Sequence, residues 1–207
     1  MQTDLTDYIE AHISAEPPRL QKLYRDTYLH RLYPRMCAGH VQGRLLKMLT
    51  AMIAPQRVLE LGTFSGYSAM CIAEGMTPGG EVHTIEIDDE AADSLRSLFA
   101  DSPGAPITLH IGDALQVIPS LPGQWDMVYI DANKRHYTEY YEFILPRVRK
   151  GGFILADNTL WAGKVATGSH DAQTLGIERF NDRVARDPRV ETAIIPIRDG
   201  LTLLRKL

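Results

Sequence analysis

The spacing of apolar positions changes once along the chain. In the first fifty residues they recur at helical intervals: Leu5, Tyr8, Ile9 and Ile13, then Leu20, Leu23 and Tyr24, then a run over roughly Gly43 to Ile53. Pro17 and Pro18 separate the first two runs. This predicts a helical front piece that packs on a core or on a partner subunit. From Arg57 the pattern switches to strands alternating with helices. RVLELG (57–62), EVHTIEI (81–87), ITLHIGD (107–113), WDMVYIDA (125–132) and GGFILADN (151–158) read as strands. Gly66 to Glu74, DDEAADSLRSLFA (88–100) and RHYTEYYEFILPRVRK (135–150) read as the helices between them. PGG (78–80) breaks the first, and the acids opening the second suit the positive end of a helix. A last helix near Thr174 to Arg186 leads to VETAIIPI (190–197) and DGLTLLRKL (199–207).

Repeated strand–helix units imply a parallel sheet with helices on both faces. Only Arg198, Asp199 and Gly200 separate the last two strand runs. That is too short for a crossover helix, so those strands are expected to pair as an antiparallel hairpin at the edge of a mostly parallel sheet. A length of 207 residues fits one domain, with a helical portion over 1–54 and the α/β core over 55–207. The net charge of −4 gives no sign of a basic nucleic-acid-binding surface. Cys37 and Cys71 have no framework spacing, which points to a reducing cytoplasm. The start, MQTDLTDYIEAHIS, lacks a signal-peptide pattern, and no stretch approaches the length of an apolar membrane span.

Candidate chemistry gathers where the strand runs end. The first strand-to-helix turn is Glu60-Leu61-Gly62-Thr63-Phe64-Ser65-Gly66. A dinucleotide fingerprint needs a further glycine between Gly62 and Gly66, so a pyrophosphate cradle is disfavoured. S-adenosylmethionine has no phosphate and suits this turn better. Glu86 ends the second strand and can accept from ribose hydroxyls, and Asp113-Ala114 after the third can hold an adenine edge. Each has a plainer reading: a tight link, a solvated strand end, an N-cap. Together, at successive strand ends, they predict a nucleoside-type site.

Asp131 ends the fourth strand and Asp157-Asn158 the fifth. Two carboxylates and an amide oxygen make a hard donor set that favours Mg²⁺, with Mn²⁺ or Ca²⁺ as alternatives, and no histidine or cysteine in the cluster suggests zinc. The plainer reading has both acids capping helices. Lys134 lies three residues after Asp131 and can serve as a base for a hydroxyl acceptor, against the plainer reading of a solvated loop lysine.

The pieces VLELGTFSGYS, HTIEID, GDAL, DMVYIDANKRHY, GGFILADNTLW and RDGLTLLRK resemble the cation-dependent O-methyltransferases, the group holding catechol and caffeoyl-CoA O-methyltransferases. The resemblance runs from about Tyr33 to the C-terminus and implies a Rossmann-like class I methyltransferase fold with a seven-stranded sheet. It makes Asp131, Asp157 and Asn158 metal ligands and Lys134 the base. It assigns Glu60, Gly62, Thr63, Ser68, Glu86, Ala114 and Asp131 to the S-adenosylmethionine site. Met36-Cys37-Ala38-Gly39 corresponds to a segment covering the cofactor, with Ala38 at its methionine end, and Met36 and Trp161 would flank a phenolic substrate ring. The stretch AGKVATGSHDAQT (162–174) is shorter than in the plant caffeoyl-CoA enzymes, which argues against a coenzyme A thioester and for a bacterial-type member acting on small vicinal diphenols. Such enzymes are commonly homodimers. Three rivals stay open: a relative methylating a hydroxylated tRNA base, served by basic residues around RLYPRM (31–36); an NAD-dependent dehydrogenase; and a binding module without turnover.

Overall fold

The computed structural model describes residues 4–168 and 171–207. Seven strands form one sheet: β1 (Arg57–Leu61), β2 (Glu81–Glu86), β3 (Ile107–Ile111), β4 (Trp125–Ile130), β5 (Val148–Asp157), β6 (Val190–Ile195) and β7 (Leu201–Lys206), in the order β3-β2-β1-β4-β5-β7-β6. β1 to β5 are parallel, β7 runs antiparallel to β5, and β6 pairs antiparallel with β7. The hairpin is as expected from its short loop, but its second strand inserts next to β5. The antiparallel strand is therefore second from the edge, and β6 forms the edge, exposed along most of its length.

Both faces of the sheet are covered, as parallel strands require. Side chains alternate between the faces. Leu59, Leu61, Val128, Ile130, Ile154 and Ala156 pack with α7 (Tyr137–Ile144) and α8 (Ala172–Ala185) through Tyr137, Tyr141, Ile177 and Phe180. Val58, Met127, Tyr129 and Leu155 face the other way, onto α3 (Gly39–Ile53), α4 (Tyr67–Gly75) and α5 (Ala92–Ala100). A four-residue α6 (Ala114–Val117) follows β3. The front piece is helical, with α1 (Leu5–His12) and α2 (Pro18–His30) ahead of α3, yet α1 buries none of its residues. Among the described residues no helix is long and apolar enough to cross a membrane.

Two boundaries differ from the periodicity. The third helix starts at Gly39, not Gly43, because His40 and Gln42 break the apolar pattern without breaking the backbone. The long helix expected over 135–150 divides into a 3-10 turn at Lys134–His136, then α7, then a second turn at Leu145–Arg147. Pro146 has no N–H to continue the α-helical hydrogen bonding of α7, so the chain tightens into the short turn instead. Val148 to Lys150 belong instead to β5, where Val148 is the partner of Trp125.

Candidate active site

The strand order reverses between β1 and β4, and a cavity of about 1050 Å³ opens at the C-terminal ends of the strands there. This is where open α/β sheets bind ligands. Gly62 makes the junction possible. Its φ is +91°, and a Cβ there would stand 2.2 Å from the Asp131 carbonyl oxygen. Asp131 N donates to Leu61 O at 2.8 Å across the β1–β4 junction, and Gly62 N donates to Ile85 O of β2 at 3.0 Å on the other side.

On one side of this junction Glu86 is almost fully buried. Its Oε1 accepts from the amides of Ile87 and Asp88 at 2.9 and 3.0 Å, and its Oε2 accepts from Phe64 N at 2.7 Å. A carboxylate has about four acceptor directions, so one on Oε2 is left for a ligand hydroxyl. Thr63, Ser68, Ala38 and Ala114 line the same cavity. Asp113 lines it too, but its carboxylate caps α6 by accepting from Leu115 N at 2.8 Å, so its capping role and its place at the cavity coexist. Glu60 is the one residue of the expected donor set that does not line the cavity. It sits beneath the floor, opposite Thr84 in the β1–β2 register, and accepts from Thr84 Oγ1 at 2.5 Å. Burial pushes its carboxyl up to about 8 against the Ser68 and Thr84 hydroxyls.

On the other side stand Lys134, Asp131, Asp157 and Asn158. Lys134 is 9% exposed and donates to Asp131 Oδ1 at 2.6 Å and to Tyr137 Oη at 2.9 Å. Tyr137 Oη in turn donates a hydrogen bond to Asp157 O at 3.0 Å. The turn that carries Lys134 is pressed against α8 at Gly176, where a Cβ would lie 2.4 Å from Lys134 O. Asp157 is buried, its Oδ2 accepting from Gln42 Nε2 at 2.5 Å and Tyr129 Oη at 2.8 Å, its Oδ1 from Asn158 N at 2.8 Å. Burial raises the hydroxyls of Tyr129 and Tyr137 well above the usual phenol range, which keeps both neutral donors. Met36 and Trp161 both line the cavity, Met36 more than half exposed.

The model of the O-methyltransferase family matches residues 10–207. The chain belongs to that family of class I, adenosylmethionine-dependent enzymes. O-methyltransferase ankF of Aspergillus thermomutatus is 36% identical over 188 residues, 82% of this chain and 78% of that protein. A caffeoyl-CoA O-methyltransferase of Stellaria longipes is 27% identical over 93% of this chain and 85% of its own length. Among solved structures, the O-methyltransferase TomG from Streptomyces achromogenes, in complex with SAM, superposes with a TM-score of 0.88 at 31% identity, covering 96% of this chain and 94% of that one.

Four polar residues around the site were not singled out from the sequence: Gln42, Tyr129, Tyr137 and Arg198. Tyr129 precedes Asp131 by two residues, so alternation along the strand could have found it. Gln42 lies 115 residues from Asp157 and has no local signal. Among the described residues no group of three His, Cys, Asp or Glu side chains is set to hold a metal ion. The third donor expected here is an amide. Asp131 Oδ2 and the Asn158 amide make no hydrogen bond among the described residues, and both residues line the cavity. Burial pushes the Asp131 carboxyl up to about 6, Lys134 pulls against this, and the nearby Asp157 charge adds to it. Two carboxylates that repel each other in a buried place, beside a neutral oxygen donor, fit a hard divalent cation.

Proposed function

We propose that the chain transfers the sulfonium methyl of S-adenosylmethionine to one hydroxyl of a small catechol-like phenol, with a divalent cation held by Asp131, Asp157 and Asn158 and with Lys134 as the base. The observation that carries this reading is one cavity with two different linings that meet at Asp131. One lining, Glu86 with Gly62, Thr63 and the 113–114 backbone, suits a nucleoside with an amino-acid tail. The other offers two carboxylates, an amide and an anchored lysine. TomG, with a similar fold, was solved with SAM.

In this reading Glu86 accepts a ribose hydroxyl, Ala38 packs on the methionine end, and Met36 and Trp161 flank the acceptor ring. A bound Mg²⁺, or Mn²⁺ or Ca²⁺ in its place, supplies a positive charge that lowers the cost of ionising the acceptor hydroxyl. Lys134, oriented by Asp131 and Tyr137, takes the hydroxyl proton. An oxygen–carbon bond forms as the carbon–sulfur bond breaks, giving a methyl ether and adenosylhomocysteine. Most of the rate gain comes from holding oxygen, methyl carbon and sulfur in line. The same reading takes residues 1–207 as one catalytic unit, a cytoplasmic homodimer acting on small phenols, with a hydroxylated tRNA base as the alternative acceptor.

The test is a methyl-transfer assay read by mass spectrometry, with S-adenosylmethionine and caffeic acid, Mg²⁺ in one arm and EDTA in the other. A product heavier by one methylene in the Mg²⁺ arm alone is expected. Equal product in both arms would remove the cation, and no product in either arm, with adenosylhomocysteine still bound, would remove the catechol acceptor.

A further inference from the structure

We infer that Arg198 and Gln42 are positioning residues that tie the segment covering the donor side of the cavity, residues 35–38, to the Asp157 carboxylate. The inference rests on the reading of Asp157 as a cation ligand.

Arg198 lies in the turn between β6 and β7 at φ +47°, a conformation that non-glycine residues adopt sparingly. Strain of this kind persists where surrounding contacts over-determine it. The backbone of the turn is stitched to the residues that follow Asn158. Asp199 O accepts from Leu160 N at 2.7 Å and Trp161 N at 3.3 Å, and Gly200 O from Thr159 N at 3.1 Å. The side chain reaches the opposite rim. Nη1 donates to Cys37 O at 3.1 Å, to Ala38 O, and to Gln42 Oε1 at 3.2 Å, while Nη2 donates to Arg35 O at 3.4 Å. A planar guanidinium can serve several carbonyls at once, and an ammonium cannot match that fork.

Gln42 is 1% exposed and uses both ends of its amide. Its oxygen takes the guanidinium, and its nitrogen donates to Asp157 Oδ2 at 2.5 Å and to Tyr129 Oη at 3.0 Å. A reversed amide would set oxygen against carboxylate and NH₂ against guanidinium, so the charges at the two ends fix its orientation. A cation at one end and an anion at the other polarise the amide in the same sense, and such chains strengthen one another. The order of the segment bearing Met36 and Ala38 is thereby joined to the direction of the Asp157 lone pairs. Donor binding under that segment and cation binding at Asp157 are then coupled, and coupling is reciprocal.

The test uses Arg198→Gly, Gln42→Met and the double variant, with Mn²⁺ and adenosylhomocysteine affinities measured separately by calorimetry. Arg198→Gly removes the tether, and glycine at φ +47° offsets part of the stability lost with it, which urea unfolding reads separately from binding. Gln42→Met is expected to weaken Mn²⁺ by about 10–100-fold, as outer partners of metal ligands do. Arg198→Gly should weaken Mn²⁺ and adenosylhomocysteine by about 5-fold or more each, the lower end of ordinary coupling. The double variant should bind Mn²⁺ no more weakly than Gln42→Met alone. Unchanged Mn²⁺ affinity in Arg198→Gly, or two effects that multiply independently, overturns the relay. Asp157→Ala binding Mn²⁺ as tightly as wild type would instead remove the cation reading. The relay would then be decided by adenosylhomocysteine: a shared loss that does not add in the double variant supports it, and independent losses sink it.

Discussion

Replacing Glu60 with glutamine isolates the cost of a carboxyl buried under the cavity floor. Glu60 is fully buried, accepts from one hydroxyl on Oε2, and has no partner on Oε1 among the described residues. Burial raises its carboxyl from 4.5 to about 8. The sign follows from proton linkage. Between those two values the unfolded chain has lost the proton and the folded chain keeps it, so stability falls as pH rises through the window. Each pH unit costs about 1.4 kcal/mol while that difference lasts. From pH 6.0 to pH 7.5 the carboxyl alone should remove about 2 kcal/mol. Glutamine has the shape of the protonated acid and cannot ionise. Urea unfolding of wild type and Glu60→Gln at both pH values separates this effect from titrating histidines, which both proteins share. The variant should gain about 2 kcal/mol on wild type between the two conditions. Parallel stability curves would show that Glu60 keeps an ordinary carboxylate and that its burial is compensated elsewhere.

Lys134→Ala should lower turnover by about 10²–10⁴-fold, the usual range for a general base, with adenosylhomocysteine affinity by calorimetry within a few-fold of wild type. Equal losses of both would make Lys134 a folding residue. Glu86→Ala removes a charged acceptor and should weaken adenosylhomocysteine by about 10–100-fold, and an unchanged dissociation constant would contradict its role at the ribose. Gly62→Ala sets a Cβ 2.2 Å from the Asp131 carbonyl oxygen, against backbone that cannot give way, at φ +91°. A loss of about 3 kcal/mol or more in urea unfolding is expected, and a wild-type midpoint would show that β1 and β4 can part without penalty. The Arg189 side chain, with help from Tyr141 and Arg183, holds the Asp187 carboxyl well below the usual range. That stability is present above the ordinary aspartate value and is lost as pH falls towards the lowered one. Asp187→Asn should therefore cost about 2 kcal/mol at pH 7 and clearly less at pH 3, and an equal cost at both would refute the ionic contribution.

Much of this site was legible because a parallel sheet gathers the ends of successive strands whatever packs around them. Glu86, Asp113, Asp131 and Asp157 each follow or end an apolar run, so their convergence needed only the strand pattern and the reversal between β1 and β4. The three-residue turn at 198–200 likewise sufficed for the hairpin. Glu60 lies beneath the cavity floor for a reason the same pattern contains. Leu59 and Leu61 face α7 and α8, so Glu60 between them points to the other face, into the sheet's own hydroxyl pairs and not into the cavity. The 135–150 helix overran because helical periodicity continues past Pro146, whereas the missing N–H does not.

What could not be read is the set of partners that hold the charged groups in place. Periodicity reports which face a side chain occupies, while a buried polar group must find a specific partner, and that partner is chosen by the fold. Gln42 on α3 reads as one polar residue on a helix. Only the packing of α3 against the sheet brings its amide to Asp157 and Tyr129, and only the β6–β7 turn brings Arg198 to its other end. The acids around the cavity announce themselves by lying at strand ends. Their partners are ordinary in sequence, and Gln42 and Arg198 lie far from Asp157 along the chain, so a reading that stops at the motif finds the acids and misses the groups bonded to them.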